Sequence, residues 1–167
     1  TGGGTSPGLL FDLRSGCDLT VAKHLDMANT CVDDVKPYLL VTSTDCEAFR
    51  QMKTLSAGDG DYERLRRRGI LHLRRVRDLC KKQRAAGRLF VNITDEEHGW
   101  GRAVHAELLQ AAGVSEVRLA QSGGRQELAT TNSPFVKVEL ECKHRSVNEA
   151  LLRSLSKELR VAGRLMP

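Results

Sequence analysis

The chain has 167 residues, which is enough for one domain and too short for two ordinary ones. Hydrophobic residues make up 40% and charged residues 28%, and these globular proportions exclude a wholly disordered chain. The net charge of +5 permits a phosphate-bearing partner without requiring one, and no apolar run approaches the roughly 18 residues of a membrane span.

The hydrophobic pattern predicts strands and helices in alternation. We expect a flexible tail at residues 1–8 and a single domain over 9–167. Strands are predicted at 8–13, 37–43, 88–94 and 114–119, and helices at 20–34, 61–86 and 99–112. A half-exposed strand at 135–142 and a final helix at 146–162 follow. This order predicts an α/β fold with a mostly parallel sheet.

The cysteines and histidines indicate neither a disulfide framework nor a metal site. The five cysteines are an odd number, widely spaced and without a CxxC pair, so we expect an intracellular, reducing compartment. The histidines lack metal-ligand spacing such as HExxH, and His105 is expected on a helix surface.

Chemistry is expected beyond the carboxyl ends of the predicted strands, where open parallel sheets bind ligands. Cys46 follows the second predicted strand and could act as a nucleophile if its thiolate were stabilised. Asp45 and Glu47 flank it, and two carboxylates should raise the pKa of the thiol and oppose ionisation. An ordinary small residue at this position is therefore the alternative to a chemical role.

The predicted helix at 61–86 is strongly basic. From Asp61 to Arg88 there are 11 Lys or Arg residues against 3 acids, whereas the remainder of the chain is slightly acidic. Such a stripe could neutralise phosphates, contact an acidic protein, or simply face solvent. The residues expected on this basic face are Arg64, Arg67, Arg68, Arg74, Arg75 and Lys82.

Several motifs keep a recognisable spacing between Phe11 and Arg145. The stretch Asp12-Leu13-Arg14-Ser15-Gly16-Cys17-Asp18-Leu19 matches a pattern Asp-Leu-x-x-Gly-Trp-Asp-Phe. Residues 43–50, with Cys46, match a Ser-Pro-x-Cys-Thr-x-Phe-Ser loop, and residues 90–94 stand where a Phe-Leu-x-Glu-His-Pro strand end is expected. On these motifs the chain resembles the cytosine-C5-methyltransferase-like region of copia-type retroelement polyproteins, as found in dinoflagellates and related protists.

The resemblance implies a Rossmann-like methyltransferase fold, a three-layer sandwich here truncated at its N-terminal strand. It implies that Cys46 is the nucleophile that attacks a flipped-out base, and that Asp12 and Asp18 lie near the adenosine of S-adenosylmethionine. The motifs also depart from the family. Asp45 replaces the proline before the nucleophile, and uncharged Asn92-Ile93-Thr94 replaces Glu-His-Pro, which removes the assisting acid.

These departures lead us to expect a non-catalytic methyltransferase-like module that binds no cofactor. It would serve as a structural or binding subunit, associated with RNA or DNA through its basic helix or with a larger protein assembly, and not with a membrane. One alternative is an active S-adenosylmethionine-dependent cytosine-C5 methyltransferase that uses Cys46. Another is a protein-interaction domain that docks an acidic partner.

Overall fold

The computed structural model describes residues 18–43, 51–52, 54–56, 58–95, 100–119 and 127–141, together with residues 150, 153, 157 and 161. The predicted strand at 8–13 lies outside the described residues. Of the predicted helix at 146–162, the four described residues are helical. Within the described part, every helix is too short or too polar to span a lipid bilayer.

The described elements alternate between helix and strand along most of the chain. Their order is α1 (Ala22–Val35), β1 (Leu39–Ser43), α2 (Gly60–Ala85), β2 (Leu89–Asp95), α3 (Trp100–Leu109), β3 (Ser115–Arg118), β4 (Glu127–Thr131) and α4 (Pro134–Glu141). The helices predicted at 20–34, 61–86 and 99–112 and the strands predicted at 37–43, 88–94 and 114–119 are confirmed to within three residues at each end, and the α/β class is confirmed with them.

The long helix α2 begins and ends at sequence signals. The side chain of Asp59 accepts a hydrogen bond from the backbone N–H of Asp61, which caps the first turn. Gly87, with φ of 70°, follows the last turn in a conformation that favours glycine. The predicted apolar face is buried, and its residues are Leu65, Leu73, Val76 and Cys80.

The four described strands form one mixed sheet in the order β1-β2-β4-β3. β1 and β2 are parallel, whereas β4 runs antiparallel to both β2 and β3. The prediction of a mostly parallel sheet is therefore wrong. The reason is the short connection from β3 to β4, residues 119–126, because a parallel crossover needs about a dozen residues or more.

The prediction of a strand at 135–142 is also wrong, because residues 135–141 belong to the helix α4. Val136 and Leu140 are buried four residues apart, as on one face of a helix, while Val138 between them is 55% exposed. Over such a short segment, apolar residues at every second position fit both the two-residue period of a strand and the period of about 3.6 residues of a helix. Glu139, also buried, forms an ion pair with Lys157 in the last helical part of the chain.

The helices cover both faces of the sheet. On one face, Leu79 of α2 packs with Ala28 and Val32 of α1, and Leu40 of β1 joins them. On the same face, Leu108 of α3 packs with Val76, Cys80 and Phe90. Since neighbouring strand residues point to opposite faces, Val91 lies on the other face, where it packs with residues of α4.

The amino ends of β1 and β2 are tied together by side-chain amides. The fully buried Gln83 donates from Nε2 to the carbonyls of Pro37 (2.6 Å) and Leu89 (3.1 Å). Asn132 accepts from the Phe90 N–H at 2.8 Å and donates to the Arg88 carbonyl at 3.0 Å. These bonds give backbone groups at this end of the sheet side-chain partners in addition to the ladder.

Candidate functional site

The helix α2 extends beyond the carboxyl edge of the sheet. Gln83 lies at the amino ends of β1 and β2, while Cys80 is already beside Thr42, one residue from the end of β1. At 1.5 Å per residue, roughly the first three turns of α2 therefore project past the strand ends. Met52 and Leu65 are buried together along this projecting part.

Asp18 supports the start of α1 and contacts the projecting part of α2. Its Oδ1 accepts hydrogen bonds from the backbone N–H (2.8 Å) and the hydroxyl (2.7 Å) of Thr20, and its Oδ2 pairs with Arg68. Burial alone would raise the pKa of this carboxyl, but the bonds from Thr20 and the Arg68 guanidinium outweigh it and lower the pKa to about 2.

Both carboxylate oxygens of Asp18 thus have partners within the chain. This arrangement is typical of a charge that stabilises a turn and a helix start. The role of Asp18 in binding adenosine stays a prediction, as does that of Asp12, which lies outside the described residues.

His72 lies on α2 one turn after Arg68 and completes this polar group. Burial lowers the pKa of His72 below its ordinary value, and the charge of Arg68 acts in the same direction while Asp18 opposes it. Because its pKa is lowered, the neutral form of His72 is favoured at neutral pH. His24 also contacts Asp18, since its Nδ1 accepts a hydrogen bond from the Asp18 backbone N–H at 2.9 Å.

Three of the six predicted basic-face residues hold α1 against α2. Arg68 pairs with Asp18, and Arg75 donates to the Leu19 carbonyl. Lys82 pairs with Asp33 on α1 at 2.6 Å. Sequence periodicity placed these side chains on one basic face but gave no sign of their partners in α1 and in the turn that precedes it.

The other three, Arg64, Arg67 and Arg74, are exposed on α2. Arg64 forms an ion pair with Asp61 at 2.9 Å, but both side chains are more than 60% exposed. Arg67 donates to the uncharged carbonyl of its own helix neighbour Glu63 at 3.3 Å. Within the described part of the chain, Arg74 has no ion pair. We call these three residues the outward arginines.

A largely buried polar group lies at the carboxyl end of β1 and beside the middle of β2, and we call it the strand-end cluster (Thr42, Cys80, Asn92, His105). The Thr42 hydroxyl donates to Asn92 Oδ1 at 2.9 Å, and Asn92 Nδ2 lies 3.1 Å from His105 Nε2. Because an amide nitrogen can only donate, His105 Nε2 accepts and the ring is neutral.

The strand-end cluster corrects the expectation that His105 lies on a helix surface, since its exposure is only 2%. The polar partner Asn92, fully buried on β2, draws the ring inward. Burial raises the pKa of the Cys80 thiol to about 12, despite the opposing contact with Thr42, so this thiol is unreactive. No helical pattern could have identified the cluster, because its members come from four separate elements.

Cys46 and its flanking acids lie outside the described residues, so the role of Cys46 stays a prediction. Thr42 of the strand-end cluster nevertheless lies one residue before the end of β1, which leads into residues 44–50. Across the described ranges, no group of three or more His, Cys, Asp or Glu side chains could hold a metal ion.

Comparison with known proteins finds no matching family model, no similar curated protein and no similar solved structure. The resemblance to cytosine-C5 methyltransferases therefore stays a prediction that rests on the sequence motifs.

Proposed function

We propose that the protein is a non-catalytic, methyltransferase-like module that binds the phosphate backbone of RNA or DNA through the outward arginines of α2. A Rossmann-like layout is part of this proposal. It is supported by β1, β2 and β3, which run in the same direction and are joined by α2 and α3. Of the four described strands, only β4 runs in the opposite direction.

The outward arginines carry the nucleic-acid part of the proposal. They are exposed guanidinium groups on one helix, and among the residues that the structure describes only Arg64 has a carboxylate partner. An exposed ion pair contributes only about 0–1 kcal/mol, so Arg64 can exchange Asp61 for a phosphate at little cost. Arg67 and Arg74 are seven residues apart, or about 10 Å along the helix, which spans about three phosphates of one duplex strand.

Asn92 supports the non-catalytic part. The resemblance places the assisting acid of the family in the strand-end triplet that begins at Asn92. Here that side chain is uncharged, fully buried and bonded to Thr42 and His105. A side chain held in this way is suited to a structural role, because any movement towards a substrate would leave its partners unsatisfied.

The test is binding of a labelled 20-base-pair duplex to the full chain, measured by fluorescence anisotropy across a salt series. Three phosphate contacts predict a slope of about −2.7 for log K against log salt. Replacing the three outward arginines by Gln should remove most of this slope. In a control variant, Lys23, Arg102 and Arg118 are replaced by Gln, which removes the same charge elsewhere on the exposed surface. This variant should keep the slope of the unaltered chain.

Three outcomes contradict the proposal. The absence of duplex binding at low ionic strength excludes a phosphate contact. Equally weakened duplex binding in both triple variants would show that the net charge, and not the outward arginines, is responsible. Methyl transfer from S-adenosylmethionine that is lost in Cys46→Ser would establish the catalytic alternative. The protein-interaction domain would be favoured by two results together: the chain binds no nucleic acid, and it binds an acidic protein that the outward-arginine variant does not bind.

A further inference from the structure

The helix α1 presents an acidic and partly apolar surface to solvent, which we call the α1 face (Lys23, Asp26, Met27, Thr30, Asp34). All five residues are exposed, and Met27 is 51% exposed. Within the described part of the chain, the charged side chains of this face form no ion pair. Methionine is enriched on surfaces that bind other proteins, so this face has the composition of a contact surface.

The helix α2 presents a surface of opposite charge, which we call the α2 face (Arg67, Leu71, Arg74, Asp78). These residues are spaced by three or four positions and therefore share one side of the helix. Leu71 lies between the two arginines and is 38% exposed. Asp78 pairs with Arg77 at 2.7 Å, but the Asp78 side chain is 59% exposed, so this pair can be exchanged at little cost.

The charges of the two faces match when the helices lie antiparallel. Along α2 the charged residues are Arg67, Arg74 and Asp78, and along α1 in reverse they are Asp34, Asp26 and Lys23. Each series spans eleven residues, which is about 16 Å of helix. Every charge then meets one of opposite sign, and Leu71 falls opposite Thr30 and beside Met27.

Within one chain this pairing cannot form, because α1 and α2 run parallel. Asp18, just before α1, pairs with Arg68, and Asp33 near the end of α1 pairs with Lys82 further along α2. Both faces point away from these contacts and are exposed. An antiparallel pairing of the two faces therefore requires a second copy of the chain.

We infer that the α1 face of one copy docks on the α2 face of a second copy. The contact joins two different surfaces, so it is heterologous. Because its ion pairs are exposed, the association is weak and reversible. The inference does not rest on nucleic-acid binding, since the contact needs no phosphate. A bound duplex competes with it, however, because both use Arg67 and Arg74.

The first test is sedimentation equilibrium of the unaltered full chain from about 10 μM to about 1 mM. At about 0.1 M salt the Debye length is about 10 Å, which screens repulsion between distant charges and leaves close pairs effective. The average mass should rise above that of one chain as concentration increases, and return to it at about 1 M salt. A single-chain mass at every concentration would overturn the inference.

The second test uses two variants that each lose one face. Asp26→Lys with Asp34→Lys alters the α1 face, and Arg67→Glu with Arg74→Glu alters the α2 face. Each variant alone should associate at least about tenfold more weakly than the unaltered chain, because like charges then meet. Mixed together they should form a one-to-one pair, since each supplies the face that the other lacks.

The matched control is Glu127→Lys with Glu141→Lys, which changes the net charge as the α1-face variant does, at exposed positions elsewhere. Its association should stay within about twofold of the unaltered chain. Equal weakening in the control, or a mixture of the two variants that stays unpaired, would overturn the inference. The α1-face variant keeps the outward arginines, so its duplex binding reports on the proposed function separately from self-association.

Discussion

Replacing Asp18 by Asn removes a charge while keeping an oxygen that can accept from Thr20. The carboxyl pKa of about 2 in the folded protein, against an ordinary 3.8, corresponds to at most about 2.4 kcal/mol of stability at neutral pH. The Arg68 side chain is 56% exposed, so solvent screens part of this interaction. We expect Asp18→Asn to lower the free energy of unfolding by about 1 kcal/mol at pH 7.

The sign of the pH dependence distinguishes this effect from simple damage. A carboxyl whose pKa is lowered by folding stabilises the protein above the unfolded-state pKa, and this stability is lost as pH falls from about 4 to about 2. Urea unfolding of both proteins over that range should therefore converge at low pH. Asp61→Asn is the matched control, because its exposed pair with Arg64 should matter little. An equal deficit at pH 2 and pH 7 would refute the reasoning.

Three further predictions concern the buried polar groups. The thiol of Cys80, with its pKa raised to about 12, should stay unmodified by an alkylating reagent at pH 8 until the protein unfolds, whereas the partly exposed Cys31 should react first. NMR titration should find the pKa of His72 below 6.5, and lower still in Asp18→Asn, because Asp18 acts to raise it; an unchanged or higher value in that variant contradicts the assignment. Asn92→Leu should reduce the free energy of unfolding by about 1–3 kcal/mol, since it removes the hydrogen bonds of a fully buried amide with half-buried Thr42 and with the buried His105 ring. Wild-type stability of this variant in urea would show that the network contributes nothing.

The sequence was sufficient to predict the elements whose apolar residues recur in a clear pattern. α2 is 26 residues long with its apolar positions on one face, so its limits and the burial of Leu65, Leu73, Val76 and Cys80 followed directly, whereas the burial of Gln83 did not. β1 and β2 are short apolar runs between helices, as expected for strands in a sheet that helices cover, although Val41 of β1 is exposed.

Prediction failed where local pattern and tertiary contact disagree. β4 has the sequence ELATT, whose threonines do not suggest a buried strand, yet Thr131 is buried and its hydroxyl donates to the Phe90 carbonyl at 2.7 Å. The reversal of β4 depends on a connection too short for a crossover, which a pattern of apolar residues does not reveal.

The candidate site was predictable only in part. The exposure of Arg64, Arg67 and Arg74 follows from helical spacing. The internal contacts of Arg68, Arg75 and Lys82 depend on where α1 packs, and no spacing within α2 contains that information. For the same reason His105 could not be placed correctly before its partner Asn92 was known.

The amide ties at the amino ends of β1 and β2 have a consequence for how this protein can change over generations. Gln83 and Asn132 fix the backbone at the amino ends of β1 and β2, which is the end of the sheet opposite to the carboxyl ends of those strands. Substitutions more than about 7–10 Å apart affect stability almost independently. Residues beyond the opposite end can therefore be replaced, and one activity lost or another acquired, while the anchored end continues to specify the same arrangement of strands.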